Sequence, residues 1–290
     1  MTAPDPRFAA PRCLFWGIGA QKAGTTWLHD YLSSHPDVRV PRVFKEQQYW
    51  NHVRAPHDAH ILPRGRAARL AEEVRTHLLP RLKRDGATGE WAARQRAVAR
   101  PRADHRDHAT ALFAHWQGEA AVGEITPGYA RLGPGTFAEM AALSPRARFF
   151  FVMRDPVSRA LSAARMAAKL TGGGPGDAIA RALAGEDTTL LEFSDYARTL
   201  HALEAAGVMG RTAVFFYETL FRQPQIDRLC AHLGVSPHPA DTDRVVFSFA
   251  REAAPDDAPA LEAELRRRLA PVYTAVRARF GDDVPEAWRG

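Results

Sequence analysis

Cys13-Leu14-Phe15-Trp16-Gly17-Ile18-Gly19-Ala20-Gln21-Lys22-Ala23-Gly24-Thr25-Thr26-Trp27-Leu28-His29-Asp30-Tyr31-Leu32-Ser33-Ser34-His35-Pro36 reads as strand, loop and helix in immediate succession. Leu14 to Ile18 is an apolar run with the length of a buried strand. Trp27, Leu28, Tyr31 and Leu32 recur at helical spacing. Between them, Gly19 and Gly24 bound a loop that carries Gln21, Lys22, Thr25 and Thr26. Such a loop lets backbone approach an anion, while the helix behind it aims its first N–H groups and its positive dipole end at the same point. The stretch predicts a phosphate cradle. The alternative is an ordinary strand-to-helix turn with chance glycines; the apolar strand before the loop and the amphipathic helix after it favour the cradle.

Gly19 and Gly24 have the spacing of the nucleotide-binding pattern G-x-x-x-x-G-K-[ST], and Thr26 stands at its hydroxyl position. The lysine does not match. Position 25 is Thr, and the loop's lysine, Lys22, lies earlier. A nucleotide kinase needs that lysine on the β- and γ-phosphates and the hydroxyl on Mg²⁺. With the cation displaced and a second hydroxyl in its place, the loop suits an anion without a γ-phosphate and without a metal. A kinase with a degenerate loop is the rival, and it requires ATP and Mg²⁺.

The 290 residues suit a single α/β domain, and 46% apolar residues suffice for a core. No apolar run of 18 residues occurs, so no transmembrane helix is expected. The opening MTAPDPRFAAPR has no basic segment followed by an apolar one, so no leader is expected and a cytoplasmic location is. Two cysteines, Cys13 and Cys230, do not imply a disulfide framework. The net charge of +6 fits anionic ligands without specifying them. Of 39 basic residues only four are lysines: Lys22, Lys45, Lys83 and Lys169. A chain that uses arginine for general charge keeps lysine where a compact ammonium is wanted.

Further along, Val38 to Val43 contains Pro41 and is at best a short edge strand. Residues 51–118 are rich in Arg, His and Ala, with helical patterns at Ala67–Leu79, Trp91–Ala99 and His108–Trp116. They read as a helical insertion over the site, most of its arginines being solvated faces. A basic lid would favour an anionic or polar acceptor. Ala120 to Ile125, Arg148 to Met153 and Ala213 to Tyr217 are strands. Helices are expected at Phe137–Leu143, from Pro156 to about Leu170 with Asp155 as its cap, at Leu190–Ala206, at Ile226–Leu233 and at Leu261–Phe280 with a break at Pro271. Thr171 to Gly176 is a glycine loop. Strands alternating with helices predict a mainly parallel central sheet in a three-layer α/β fold. Ligands of such sheets bind beyond the strands' carboxyl ends, where Lys22, Thr126 and Arg154 all fall.

Arg154-Asp155-Pro156-Val157-Ser158-Arg159-Ala160-Leu161-Ser162 is the second motif. Arg154, at a strand end, can meet an anion bidentately, and Ser162 adds a hydroxyl about two turns along the helix. Read alone, Arg154 and Asp155 could as well pair and cap. Five histidines, His52, His57, His60, His105 and His108, have no cysteine with them and no standard metal-ligand spacing, so no metal is expected.

The segment Gln21 to Leu28, closing on His35-Pro36, resembles the 5′-phosphosulfate loop of sulfotransferases that use 3′-phosphoadenosine 5′-phosphosulfate (PAPS). Arg154 to Ser162 resembles the family's 3′-phosphate motif. Phe44-Lys45-Glu46-x-x-Tyr49-Trp50 is similar to the K-E-x-H-F/Y-F element of the glycosaminoglycan, or carbohydrate, branch, with Gln48 in place of His. Gly123-Glu124-Ile125-Thr126-Pro127-x-Tyr129 resembles that branch's G-E-K-[ST]-P-x-Y, with Ile125 in place of Lys. Val214-Phe215-Phe216-Tyr217-Glu218-x-Leu220 resembles a later strand motif. The resemblance implies a P-loop-like fold and sulfuryl transfer to a hydroxyl, with 3′,5′-ADP as leaving group and no metal. It implies Glu46 as base with Lys22 and Lys45 in catalysis. It implies Gln21, Lys22, Ala23, Gly24, Thr25, Thr26, Trp27, Arg154, Ser162, Tyr217 and, from the segment Phe247–Arg251, Arg251 as donor-binding residues. An Arg-rich nucleic-acid binder is the third reading, and no nucleic-acid motif supports it.

Overall fold

Seven consecutive buried residues, Cys13–Gly19, form the middle strand of a five-stranded sheet. The computed structural model describes residues 3–42, 44–54, 88–99, 104–171, 173–242 and 258–288. In chain order its elements are β1 (Cys13–Gly19), α1 (Thr25–Ser34), β2 (Val38–Arg39), α2 (Tyr49–Arg54), α3 (Thr88–Ala99), α4 (Arg106–Leu112), β3 (Ala121–Ile125), α5 (Pro134–Ala142), β4 (Ala147–Met153), α6 (Pro156–Thr171), α7 (Pro175–Leu183), α8 (Thr189–Glu192), α9 (Tyr196–Ala205), β5 (Thr212–Phe216), α10 (Tyr217–Leu220), α11 (Gln223–Leu233) and α12 (Ala258–Phe280).

The sheet order is β2-β3-β1-β4-β5 and every pairing is parallel. Cys13 to Gly17 of β1 align with Ala121 to Ile125 of β3, and Phe149 to Met153 of β4 with Thr212 to Phe216 of β5. Both faces of β1 and β4 are covered by helices, which is why Phe149 to Met153 run apolar without alternation. This is the expected α/β fold with a central parallel sheet. β1, β3, β4 and β5 all end toward the same edge, and the segments after β1, β4 and β5 meet there.

Several boundaries differ from expectation, each for a local reason. β2 stops at Arg39, since Pro41 has no N–H for a ladder. The helix expected over Leu190–Ala206 is two, α8 and α9. Ser194 breaks it: its hydroxyl donates to the Pro156 carbonyl and accepts from Arg159 Nε, while Asp195 caps α9 through the Arg198 N–H. α12 runs through Pro271 unbroken, held on both sides of it by buried Leu265, Leu269, Val272, Tyr273 and Val276. The glycine loop ends early because α7 already starts at Pro175, with Asp177 accepting the Gly174 N–H. α4 ends at Leu112, short of Trp116. The helical pattern at Ala67–Leu79, with His57, His60 and Lys83, lies outside the described residues, as does Phe247–Arg251. Among the described residues no helix is long and apolar enough to cross a membrane.

Candidate active site

The loop after β1 is shaped by two left-handed residues, Lys22 at φ 68° and Gly24 at φ 79°. At Gly24 a side chain is excluded twice over. The positive φ strains any other residue, and a Cβ there would lie 2.9 Å from Cζ of Phe221 and 3.3 Å from Cδ2 of Tyr217. Gly24 is also the N-cap of α1, and no side chain caps this end. The first backbone N–H to bond back is that of Leu28, to the Gly24 carbonyl. The N–H groups before it are left for an anion.

This loop forms one wall of a cleft of about 320 Å³ at the carboxyl edge of the sheet. Gln21, Lys22, Gly24, Thr25, Thr26 and Trp27 line it, joined by Lys45 and Glu46 from the segment after β2, Arg154 and Ser162 from the β4–α6 junction, and Tyr217 after β5. Sequence-distant motifs thus converge on one site. Ala23 is an exception, buried behind the loop with its N–H on the Ala20 carbonyl. Thr126 is a second exception. It is fully buried, with its hydroxyl on Glu124, and its neighbour Pro127 lines the cleft instead. Arg251 lies outside the described residues. None of the cleft's lining residues belongs to the described parts of 51–118.

Two of the four lysines meet in this cleft. Lys45 Nζ donates to Thr25 Oγ1 and Thr26 Oγ1, each at 3.1 Å, and stands 3.5 Å from Glu46 Oε1. Burial lowers its pKa, and Glu46 partly restores it. Lys22 Nζ lies 3.9 Å from the Met166 sulfur. Burial first, then the charges of Arg154 and Lys45, lower its pKa to about 8. Three cations therefore face Glu46 as the only carboxylate among the described lining residues, and an anion entering the cleft relieves their mutual repulsion.

Glu46 is held at both oxygens. Gln48 Nε2 donates to Oε2 at 3.0 Å, and Lys45 approaches Oε1. Gln48 takes a left-handed backbone, φ 59°, to make this reach, and Gln47 ties the segment down by donating to the Phe44 carbonyl at 2.8 Å. Gln48 thus makes a contact to the carboxylate from the position where the carbohydrate branch has His.

Arg154 is placed by its backbone and its guanidinium. Its N–H donates to Tyr196 Oη at 3.3 Å, and Tyr196 donates to its carbonyl at 2.7 Å. Its guanidinium lies 4.4 Å from the Tyr217 ring centroid and donates to the Lys22 carbonyl at 3.0 Å. Asp155 does not pair with it. Asp155 Oδ1 caps α6 through the Ser158 N–H, and Oδ2 accepts from Tyr273 at 2.5 Å. Arg154 keeps donors for a ligand. Trp27 meets Phe221 edge-on at 5.2 Å, and Phe221 meets Tyr217 edge-on at 5.1 Å, which makes an aromatic corner beside the loop.

Met166, Phe221 and Thr242 also line the cleft and are not among the sequence candidates. Met166 stands four residues after Ser162 on the same helix face, and Phe221 four after Tyr217, so periodicity carries a signal for both. Thr242 has none. Among the described residues no group of three or more His, Cys, Asp or Glu side chains could hold a metal ion. His105 and His108 are in the core instead, where His108 Nε2 and Glu124 Oε1 are 3.1 Å apart and Tyr49 Oη lies 2.7 Å from His105 Nδ1.

The family model of the sulfotransferase family matches residues 15–239. The crystal structure of a sulfotransferase from Alicyclobacillus acidocaldarius aligns with 97% of this chain and 100% of its own, with a TM-score of 0.66 at 23% identity. A sulfotransferase domain from the curacin biosynthetic pathway aligns with 82% of this chain and 80% of its own, with a TM-score of 0.50 at 17% identity. At such identities the likeness is one of fold. No curated protein matches the sequence significantly.

Proposed function

This chain belongs to the sulfotransferase family, and from that premise we propose that it transfers the sulfuryl group of PAPS to an acceptor hydroxyl. The observation that carries the reading is the convergence of Lys22, Lys45, Arg154 and the uncapped start of α1 on a cleft that, among the described residues, holds one carboxylate, Glu46. The donor's chemistry fits what lines the cleft. Its 5′-phosphosulfate suits the loop N–H groups, Thr25, Thr26 and the lysines. Its 3′-phosphate suits Arg154 and Ser162, and its purine suits the corner of Trp27, Phe221 and Tyr217.

PAPS supplies a sulfuryl group whose sulfur–oxygen bond to the 5′-phosphate breaks as one to the acceptor oxygen forms, leaving 3′,5′-ADP. The chain's own residues do the rest. Glu46 takes the acceptor's hydroxyl proton, with Gln48 and Lys45 holding the carboxylate. Lys22 stabilises negative charge on the leaving phosphate oxygen. Lys45 fixes the two threonine hydroxyls of the loop. None of these roles calls on a metal. Among the described residues one five-stranded sheet carries the cleft at its carboxyl edge, which supports reading 1–290 as one catalytic domain, with 51–118 inserted. The Lys45–Trp50 segment supports the carbohydrate branch, with a sugar, lipid head group or small molecule as acceptor.

The test is single-turnover reaction of labelled PAPS with metabolite extracts, with the product identified by mass. A sulfated product and released 3′,5′-ADP are expected. Phosphorylated product from ATP and Mg²⁺, with none from PAPS, would make the protein a kinase.

A further inference from the structure

α3 carries two arginines that differ in kind. Arg96 is exposed and pairs with Asp107 at 3.1 Å. Arg94 turns inward. Its guanidinium lies over the Phe44 ring, 4.6 Å from the centroid, on the segment that carries Glu46 two residues later. Its Nε–H is buried without an acceptor. Among the described residues no carboxylate pairs with it.

The acids near enough to act on Arg94 are already committed. Burial pushes its pKa down, and Tyr129, Glu124 and Glu46 are the groups that oppose this. Glu124 accepts hydrogen bonds from Thr126 and Tyr129 and stands 3.1 Å from His108 Nε2. The Tyr129 phenol is kept protonated by burial. Glu46 is taken by Gln48 and Lys45. His52, on α2, is kept toward its neutral form by burial and by Arg94 itself. Removing a guanidinium from water without a counterion is costly, and one contact with an aromatic face offsets only part of that cost. Arg94 does not line the donor cleft, whereas Glu46 does. Arg94 is thus close enough to Glu46 to feel its charge while standing outside the donor cleft.

We propose that Arg94 anchors an anion-binding subsite beside Glu46, and that the acceptor carries a carboxylate, phosphate or sulfate group near the hydroxyl that is sulfated. This rests on the reading of Glu46 as the base. It gives α3 a role in acceptor choice, and none of the described residues of 51–118 lines the donor cleft.

The direct test uses protein labelled with ¹⁵N at arginine Nε and saturated with 3′,5′-ADP, so that the donor-side cations are occupied. The Arg94 Nε–H signal is identified by its loss in Arg94→Lys. Titration with sodium sulfate should shift it saturably, and sodium chloride at matched ionic strength should not. No shift, or the same shift with both salts, overturns the subsite. Calorimetry with 3′,5′-ADP on the same labelled protein before saturation reports separately on the donor site, so a failure of the sulfotransferase reading is distinguishable. In a second arm, labelled PAPS is offered metabolites separated beforehand into neutral and anionic pools. The product should come from the anionic pool, and product formed from the neutral pool alone contradicts the proposal.

Discussion

Residues 20–27 and 154–162, on the proposed donor side of the cleft, follow directly from β1 and β4, whose junctions with α1 and α6 set their positions. Residues 44–52, on the Glu46 side, hang from a two-residue edge strand and are held by side chains: Gln47 on a carbonyl, Gln48 and Lys45 on Glu46, Arg94 over Phe44. The first wall is fixed by the geometry of strand-to-helix junctions and suits a ligand that never changes. The second is fixed by a few polar contacts, any of which can be altered while the sheet stays intact. That contrast locates adaptation to an acceptor on the second wall.

The sharpest way to break the contrast is Glu46→Gln. It should lower single-turnover transfer by roughly 10²–10⁴, the usual contribution of a positioned base, and leave 3′,5′-ADP affinity unchanged. Near wild-type transfer would move the search for the base to His52. Lys22→Ala should act on both columns, lowering turnover by roughly 10²–10³ and weakening PAPS as well, because its charge serves ground and transition states.

Lys22 also sets a pH dependence. In the free protein its ammonium is lost as pH rises through about 8, because burial and neighbouring cations favour the neutral amine. The value of kcat/KM for PAPS should therefore fall above that pH. A bound anionic donor favours the ammonium, so the corresponding limb of kcat should lie at higher pH. A kcat/KM profile flat to pH 10 would remove Lys22 from donor binding.

The legibility of the two walls in the sequence differs in the same way. The loop from Gly19 to Thr26 and the Arg154–Ser162 motif are local patterns, and a local pattern with a strand before it and a helix after it fixes a cleft edge. Core strands were legible because burial on both faces leaves unbroken apolar runs such as Phe149 to Met153. Phe221 and Met166 follow from periodicity once a first residue is placed. Arg94 was legible only as one of many arginines, since its orientation depends on how α3 packs over a residue fifty positions away. The break between α8 and α9 depends on Arg159 reaching Ser194 from another helix, which no window of sequence contains.

Two smaller effects sharpen the comparison. Arg154→Ala should cost 3′,5′-ADP about 1.5–3 kcal/mol, as expected for a lost charged hydrogen-bonding partner, and should barely affect 5′-AMP. Equal losses by calorimetry would detach Arg154 from the 3′-phosphate. Gln48→Leu removes a single hydrogen bond to a carboxylate and should lower kcat by about tenfold with PAPS affinity intact. A loss of PAPS affinity instead would mean that the two walls are not independent.

The central claim is that the cleft is built for a 3′-phosphorylated adenine nucleotide and needs no metal to hold it. Calorimetric titration of the unaltered protein with 3′,5′-ADP in a chelator, beside ATP in Mg²⁺, tests it directly. 3′,5′-ADP should bind at least about tenfold more tightly, the Arg154 contact alone being worth that much. Tighter binding of ATP with Mg²⁺, and no binding of 3′,5′-ADP, would contradict it.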